Sequence, residues 1–204
     1  MFAIMLDDGA ELRPLEPWQA EEFLAHLERA RAAVDPWVPW ATRSTDLDSA
    51  RATLQRYADL AARDAGRLYG IWLDGTLVGG TMFVAFDATA GTCEIGCWLE
   101  PAGQGRGLIT RAAGRLVDWA VRVRGIHRVE WLTRPDNTAS RGVARRLGMR
   151  LDGVLREEFA YRGVRHDTEV WSLLAPEWAG VPAPTTPWAA TRSPGDGPQR
   201  TGQP

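Results

Sequence analysis

Gln104-Gly105-Arg106-Gly107-Leu108-Ile109-Thr110 is the stretch that organises this chain of 204 residues. It follows an apolar run, residues 93–99, and a turn through Pro101. It opens into a segment whose apolar residues recur at helical spacing, Ile109, Ala112, Ala113, Leu116, Val117 and Ala120, stopped by Gly125. A small-residue loop at a helix start turns several free backbone N–H groups one way. Together with the positive end of the helix dipole they hold an anion. Glycines let a phosphate approach the backbone closely. The pattern therefore predicts a pyrophosphate loop, with the preceding strand laying out the chemistry.

Two familiar nucleotide motifs do not fit. A Gly-x-Gly-x-x-Gly frame begun at Gly103 meets Leu108 at its third glycine, and one begun at Gly105 meets Thr110. No Gly-Lys-Ser/Thr follows, which excludes the P-loop.

Working outward, residues 127–133 read as a strand that completes a strand–helix–strand unit, so they are expected to run parallel to residues 92–99. Upstream, 68–73, 76–86 and 92–99 read as an antiparallel meander, with Asp74-Gly75 as a tight turn. Residues 1–14 read as a hairpin, or as one strand broken at Asp7-Asp8-Gly9. A helix starts at Pro17, carries Phe23, Leu27, Ala30 and Val34, and stops at Asp35-Pro36. A second runs from the caps at Ser44-Thr45-Asp46 to Gly66, with Leu47, Ala50, Leu54, Tyr57, Ala58 and Ala61 on its apolar stripe. Between them Pro36-Trp37-Val38-Pro39-Trp40 is either a rigid loop on the core or one wall of a substrate pocket. Arg134-Pro135-Asp136-Asn137 turns into a short helix that Gly148 stops, and strands over 149–161 and 164–174 turn at Arg162-Gly163. One domain over 1–178 is expected. The Pro-, Gly- and Thr-rich residues 179–204 bury too little apolar surface to order themselves and read as a disordered tail.

The net charge of −2 speaks against nucleic-acid binding through bulk charge, although all 24 basic residues are arginine, which suits phosphate. Cys93 and Cys97 share a strand face too far apart to bridge and read as reduced thiols; without a histidine cluster they make no zinc site. His26 and His127 read as structural or surface residues. No apolar run reaches membrane-spanning length and the start has no basic leader, so no membrane association and a cytoplasmic location are expected.

The loop resembles the Gln/Arg-x-x-Gly-x-Gly/Ala signature of the GCN5-related N-acetyltransferases, with Ile109 where a small residue is usual. Its surroundings resemble the RimJ/RimL branch, which acetylates the N-termini of ribosomal proteins. These are Glu94-Ile95-Gly96-Cys97-Trp98-Leu99, Asp136-Asn137-Thr138-Ala139-Ser140, Arg146-Leu147-Gly148-Met149, Gly153-Val154-Leu155-Arg156-Glu157, His166-Asp167-Thr168-Glu169-Val170 and the tryptophan–proline loop. The resemblance covers residues 12–178.

That resemblance implies an α+β fold: a mixed, mostly antiparallel twisted sheet of about seven strands with a splayed central parallel pair, flanked by about four helices. It implies acetyl-CoA as cosubstrate, no metal, a homodimer, and transfer to a primary amine. The amine is a ribosomal-type protein N-terminus, with a small-molecule amine, a larger acyl donor such as succinyl-CoA, or a non-catalytic acyl-CoA-binding module as alternatives. The pyrophosphate is expected on the backbone of Gln104, Gly105, Arg106, Gly107, Leu108, Ile109 and Thr110, with the Arg106 charge at the rim. Trp98, Leu99 and Glu100 would offer main-chain contacts to pantetheine, an N–H near Leu99 polarising the thioester; the Trp98 side chain reads better as core. Asn137 would bond the pantetheine arm or cap its helix. Ser140 would protonate the leaving thiolate. Glu94 is the candidate base, its pKa raised by partial burial, or else a carboxylate paired with an arginine. Glu158 and the His166-Asp167 pair are the runners-up. Trp37, Trp40, Glu158 and His166 would shape the acceptor pocket.

Overall fold

The computed structural model describes residues 3–7, 9–38 and 43–180. Strands β1 (Ile4–Asp7) and β2 (Ala10–Pro14) form a hairpin, which settles the N-terminal alternative. A single 3-10 turn then leads into helix α1 (Ala20–Val34). Helix α2 (Leu47–Ala62) is capped by Asp46, whose carboxylate accepts the Ser49 N–H at 2.8 Å. Next come β3 (Arg67–Leu73), β4 (Thr76–Asp87) and β5 (Thr92–Leu99), then α3 (Leu108–Arg122), β6 (Arg128–Thr133), α4 (Thr138–Arg146), β7 (Arg150–Tyr161) and β8 (Val164–Leu174). At Asp74-Gly75 (φ 48° and 78°) and Arg162-Gly163 (φ 50° and 77°) both residues are left-handed, as a two-residue hairpin turn of the primed type requires.

The sheet has eight strands in the order β1-β2-β3-β4-β5-β6-β8-β7, and β5 with β6 is its parallel pair. That pair holds for three residues a side, Thr92 opposite Arg128, Cys93 opposite Val129 and Glu94 opposite Glu130. Beyond them β4 keeps β5 as far as Leu99, and β8 keeps β6 as far as Thr133. The two strands are thus carried apart by their outer neighbours, and β5 has an open edge from Ile95 onward. The Glu100 N–H goes to the Val78 carbonyl of β4 at 2.9 Å. Alternation along a strand therefore turns the amides of Cys97 and Leu99 to the open edge.

Each face of the sheet packs its own core. Cys93 and Ile95 lie with Ala112, Leu116 and Val117 of α3; Trp98 and Met82 lie with Phe23 and Leu27 of α1 and Leu54 of α2. Each such large apolar side chain contributes roughly 1.5–3 kcal/mol. A buried polar chain runs through the second core. The Trp98 indole donates to His26 Nε2 at 2.9 Å, and His26 Nδ1 lies 3.1 Å from a Glu100 carboxylate oxygen that Arg29 Nε approaches at 3.3 Å. Burial first, and the Arg29 charge second, hold His26 down to about 4, so at neutral pH it is an uncharged imidazole donating Nδ1–H to Glu100. Trp98 is therefore a core side chain. Its ring lies so close to Gly80 that a Cβ there would fall 2.1 Å from it.

Among the described residues no helix is long and apolar enough to cross a membrane, and no group of three or more potential ligands is placed to hold a metal.

Candidate active site

A cleft of about 390 Å³ follows the open edge of β5 and lies between the start of α3, the first turn of α4 and the end of α1. Gly105 (φ 76°) and Gly107 (φ 70°) carry the chain through left-handed conformations at its α3 end. The ladder of α3 begins with the Arg111 N–H to the Gly107 carbonyl at 3.1 Å. The N–H groups of Leu108, Ile109 and Thr110 therefore precede it and point out of the helix start. Gln104, Gly105, Gly107, Leu108, Ile109 and Thr110 all line the cleft, whereas Arg106 is exposed outside the lining. The Ile109 side chain packs into the core at 7% exposure, so its size does not narrow the loop. Arg146, in the last turn of α4, also lines this end and donates from Nε to Thr110 Oγ1 at 3.1 Å. It is a cation beside the start of α3 that the loop motif does not announce.

Cys97, Trp98 and Leu99 line the middle of the cleft. Glu100 does not: its N–H and carbonyl bond Val78 and Gly103, and its carboxylate points into the second core. The expectation that Glu100 offers a main-chain contact is thus corrected, because alternation turns it toward β4. Burial pushes both the Cys93 and Cys97 thiols up to about 12, so neither is a thiolate at neutral pH.

The opposite wall is Ala33, Val34, Trp37 and Val38. Arg134 stacks 4.9 Å from the Trp37 ring, donates to the Pro36 carbonyl at 3.3 Å and pairs with Asp136. From the β7–β8 turn, Tyr161 donates its hydroxyl to the Asp35 carbonyl at 2.6 Å and Arg162 pairs with the Asp35 carboxylate. The short segment after α1 is thereby tied to both strands beyond the splay. Trp40 lies outside the described residues.

Asn137 caps α4: its side-chain oxygen accepts the Ser140 N–H at 3.0 Å. Ser140 is half-buried in the same turn and accepts the Trp131 indole N–H at 2.9 Å. Both residues line the cleft. Glu94 stands elsewhere. Alternation on β5 puts it with Gly96 and Trp98 on the α1/α2 face, half-buried and outside the cleft lining. Burial raises its pKa, reinforced by the carboxylates of Glu130 and Glu158. Among the described residues Glu94 has no arginine partner. Glu158 is exposed and accepts the Thr168 hydroxyl at 2.8 Å. His166 is half-buried opposite Phe159, while the Asp167 carboxylate accepts the Glu157 N–H at 2.9 Å and so serves the β7 backbone rather than His166. Neither Glu158 nor His166 lines the cleft. Glu130, Trp131 and His26 carry no motif, and the motif that holds Arg146 does not mark it for the loop; only the parallel register and helix packing bring them to these places.

The sequence and the fold have counterparts in known proteins. The profile of the Acetyltransferase (GNAT) domain matches residues 10–150. The chain is 30% identical over 185 residues to YdaF of Bacillus subtilis (strain 168), a ribosomal N-acetyltransferase by name, covering 88% of this chain and 99% of that protein. It is also 30% identical over 127 residues to the ribosomal-protein-serine acetyltransferase of Escherichia coli (strain K12), covering 62% and 71%. RimL, the ribosomal L7/L12 alpha-N-protein acetyltransferase solved in complex with coenzyme A, superposes with a TM-score of 0.80 at 24% identity, covering 84% and 97%. The chain belongs to the GNAT acetyltransferases, enzymes that use acetyl-CoA as their cosubstrate.

Proposed function

We propose that this enzyme acetylates the α-amine of a protein N-terminus of ribosomal type. The observation that carries this reading is the splay itself. Its open β5 edge gives access to both faces of the sheet, with Glu94 on one and Ser140 on the other. The amides of the glycine loop and the α3 start, helped by Arg146, hold the pyrophosphate. The Leu99 N–H, on the open edge, polarises the thioester carbonyl as charge grows on its oxygen. Glu94, directly or through one water, takes the proton that the amine loses as the N–C bond forms. Ser140 hydrogen-bonds the sulfur as the C–S bond breaks and gives it a proton that water restores. Trp37 walls the acyl end. Glu130 and Glu158 beside Glu94 supply the negative potential that draws in a cationic N-terminus.

The relatives named for ribosomal-protein acetylation support the acceptor class. By the same resemblance the enzyme works in the cytoplasm as a homodimer. Its catalytic domain spans 1–178; residues 181–204 of the tail read from composition lie outside the described residues. Arg146 is the one arginine lining the cleft among the described residues, and it sits at the phosphate end. Among the described residues no cation lines the acyl end of the cleft, the nearby Arg134 being paired with Asp136 behind Trp37, which favours acetyl over succinyl. The glutamates would also attract a small cationic amine, and one experiment separates the two. The purified protein is incubated with acetyl-CoA, total ribosomal proteins, N-terminal peptides and amine metabolites, and the products are read by mass spectrometry. A 42 Da gain, about the mass of one acetyl group, on a ribosomal N-terminus supports the proposal. Modification confined to a small amine overturns it.

A further inference from the structure

The Ser140 hydroxyl makes a contact that governs its direction as well as its place. Trp131 is the first β6 residue beyond the paired stretch of β5 and β6, and its side chain is 1% exposed. Its indole N–H can only donate. At 2.9 Å from Ser140 Oγ, it therefore occupies one lone pair of that oxygen. The Ser140 N–H is held by Asn137 Oδ1, so both the backbone and the oxygen are anchored. A hydroxyl that accepts from one side must send its own proton elsewhere. Among the described residues no acceptor takes that proton, and Ser140 borders the cleft.

We propose that Trp131 is a positioning residue. It turns the Ser140 O–H into the cleft toward the departing sulfur and stabilises Oγ as the proton leaves. The inference rests on the proposed role of Ser140. Its chemistry is one transfer: the O–H bond breaks, an S–H bond forms on the coenzyme A thiolate, and water returns a proton to Oγ. The indole N–H is donated throughout and never transferred. Without it the hydroxyl rotates among its staggered positions and the oxygen loses a donor just as it gains charge.

Trp131→Phe keeps an aromatic ring and removes the donor. Turnover is followed as thiol release from acetyl-CoA, using the N-terminal peptide that serves best in the panel above. The expected result is a fall in kcat of about ten-fold, the scale of one lost hydrogen bond to a charged group, with KM for acetyl-CoA within about two-fold. Trp131→Phe added to Ser140→Ala should lower kcat no further than Ser140→Ala alone, because the two act as one unit. Multiplicative losses, or an unchanged kcat in Trp131→Phe, overturn the inference. Should Trp131→Phe unfold, benzothienylalanine at position 131 replaces only the N–H by sulfur and is judged by the same outcomes. If Ser140→Ala itself leaves kcat intact, the Ser140 role fails; if it lowers kcat and the Trp131 changes do not, only the positioning role fails.

Discussion

Glu94 is a residue whose chemistry is set by its neighbours. Leaving water raises its pKa, and Glu130 directly opposite in the parallel register raises it further. A base works only when deprotonated, so activity should fall as pH drops through this raised value, at a higher pH than an ordinary glutamate would give. Glu94→Gln should lower kcat about 100-fold and remove that acidic limb from the kcat/KM profile. Glu130→Gln should move the limb to lower pH, because one source of the repulsion is gone. A Glu94→Gln profile that keeps its acidic limb would assign the base elsewhere. The glutamate itself was legible in the sequence from its place on the strand before the loop. The repulsion that adds to the effect of burial was not, because Glu130 is distant in the chain and becomes its neighbour only through a crossover helix.

At the scale of elements, the junction of β5 with α3 is written locally. Glycines 105 and 107 are needed for φ values of 76° and 70°, and beyond them helical periodicity takes over. Among the described residues nothing lies within 4 Å of a Cβ built on Gly105, and only the Arg111 guanidinium is that near at Gly107. Conformation, and not crowding, therefore requires glycine there. Gly107→Val forces a β-branched residue into the left-handed region, at a local strain of about 1–2 kcal/mol that the loop relieves by changing shape. Titration calorimetry should show acetyl-CoA binding weakened at least ten-fold, with thermal unfolding shifted by only a few degrees. Unchanged affinity would mean that this loop does not hold the pyrophosphate. The departure at Ile109 from a small-residue motif has an equally local resolution: as the second residue of α3 it faces the core rather than the loop.

At the scale of the molecule, the cleft has two banks and side chains join them. Arg134 from the end of β6 and Tyr161 and Arg162 from the β7–β8 turn all hold the segment Asp35-Pro36-Trp37 that follows α1. The exposed Arg162–Asp35 pair contributes little by itself. Arg134 combines stacking on Trp37 with a hydrogen bond to Pro36 and matters more. Arg134→Ala should raise KM for acetyl-CoA about three- to ten-fold, with a smaller change in kcat and in stability, since it loosens a wall and touches no reacting atom. An equal loss in kcat with KM unchanged would place Arg134 in the chemistry instead.

What the sequence determined alone is whatever neighbouring residues can enforce. The strand periods, the left-handed turns at Asp74-Gly75 and Arg162-Gly163, the Asp46 and Asn137 caps, and the glycine loop feeding a helix are all local, and the motif spacing carried the family with them. Tertiary structure alone decided the rest. The splay arises because β4 and β8 each hold one strand of the central pair further than the pair holds itself. The Trp98 indole found its acceptor in a neutral His26, 72 residues away in sequence. Trp131 meets Ser140 because α4 packs back over β6. A hydrogen bond or a carboxylate repulsion depends on distance in space, and pairing across the sheet and between helices sets that distance where residue spacing does not.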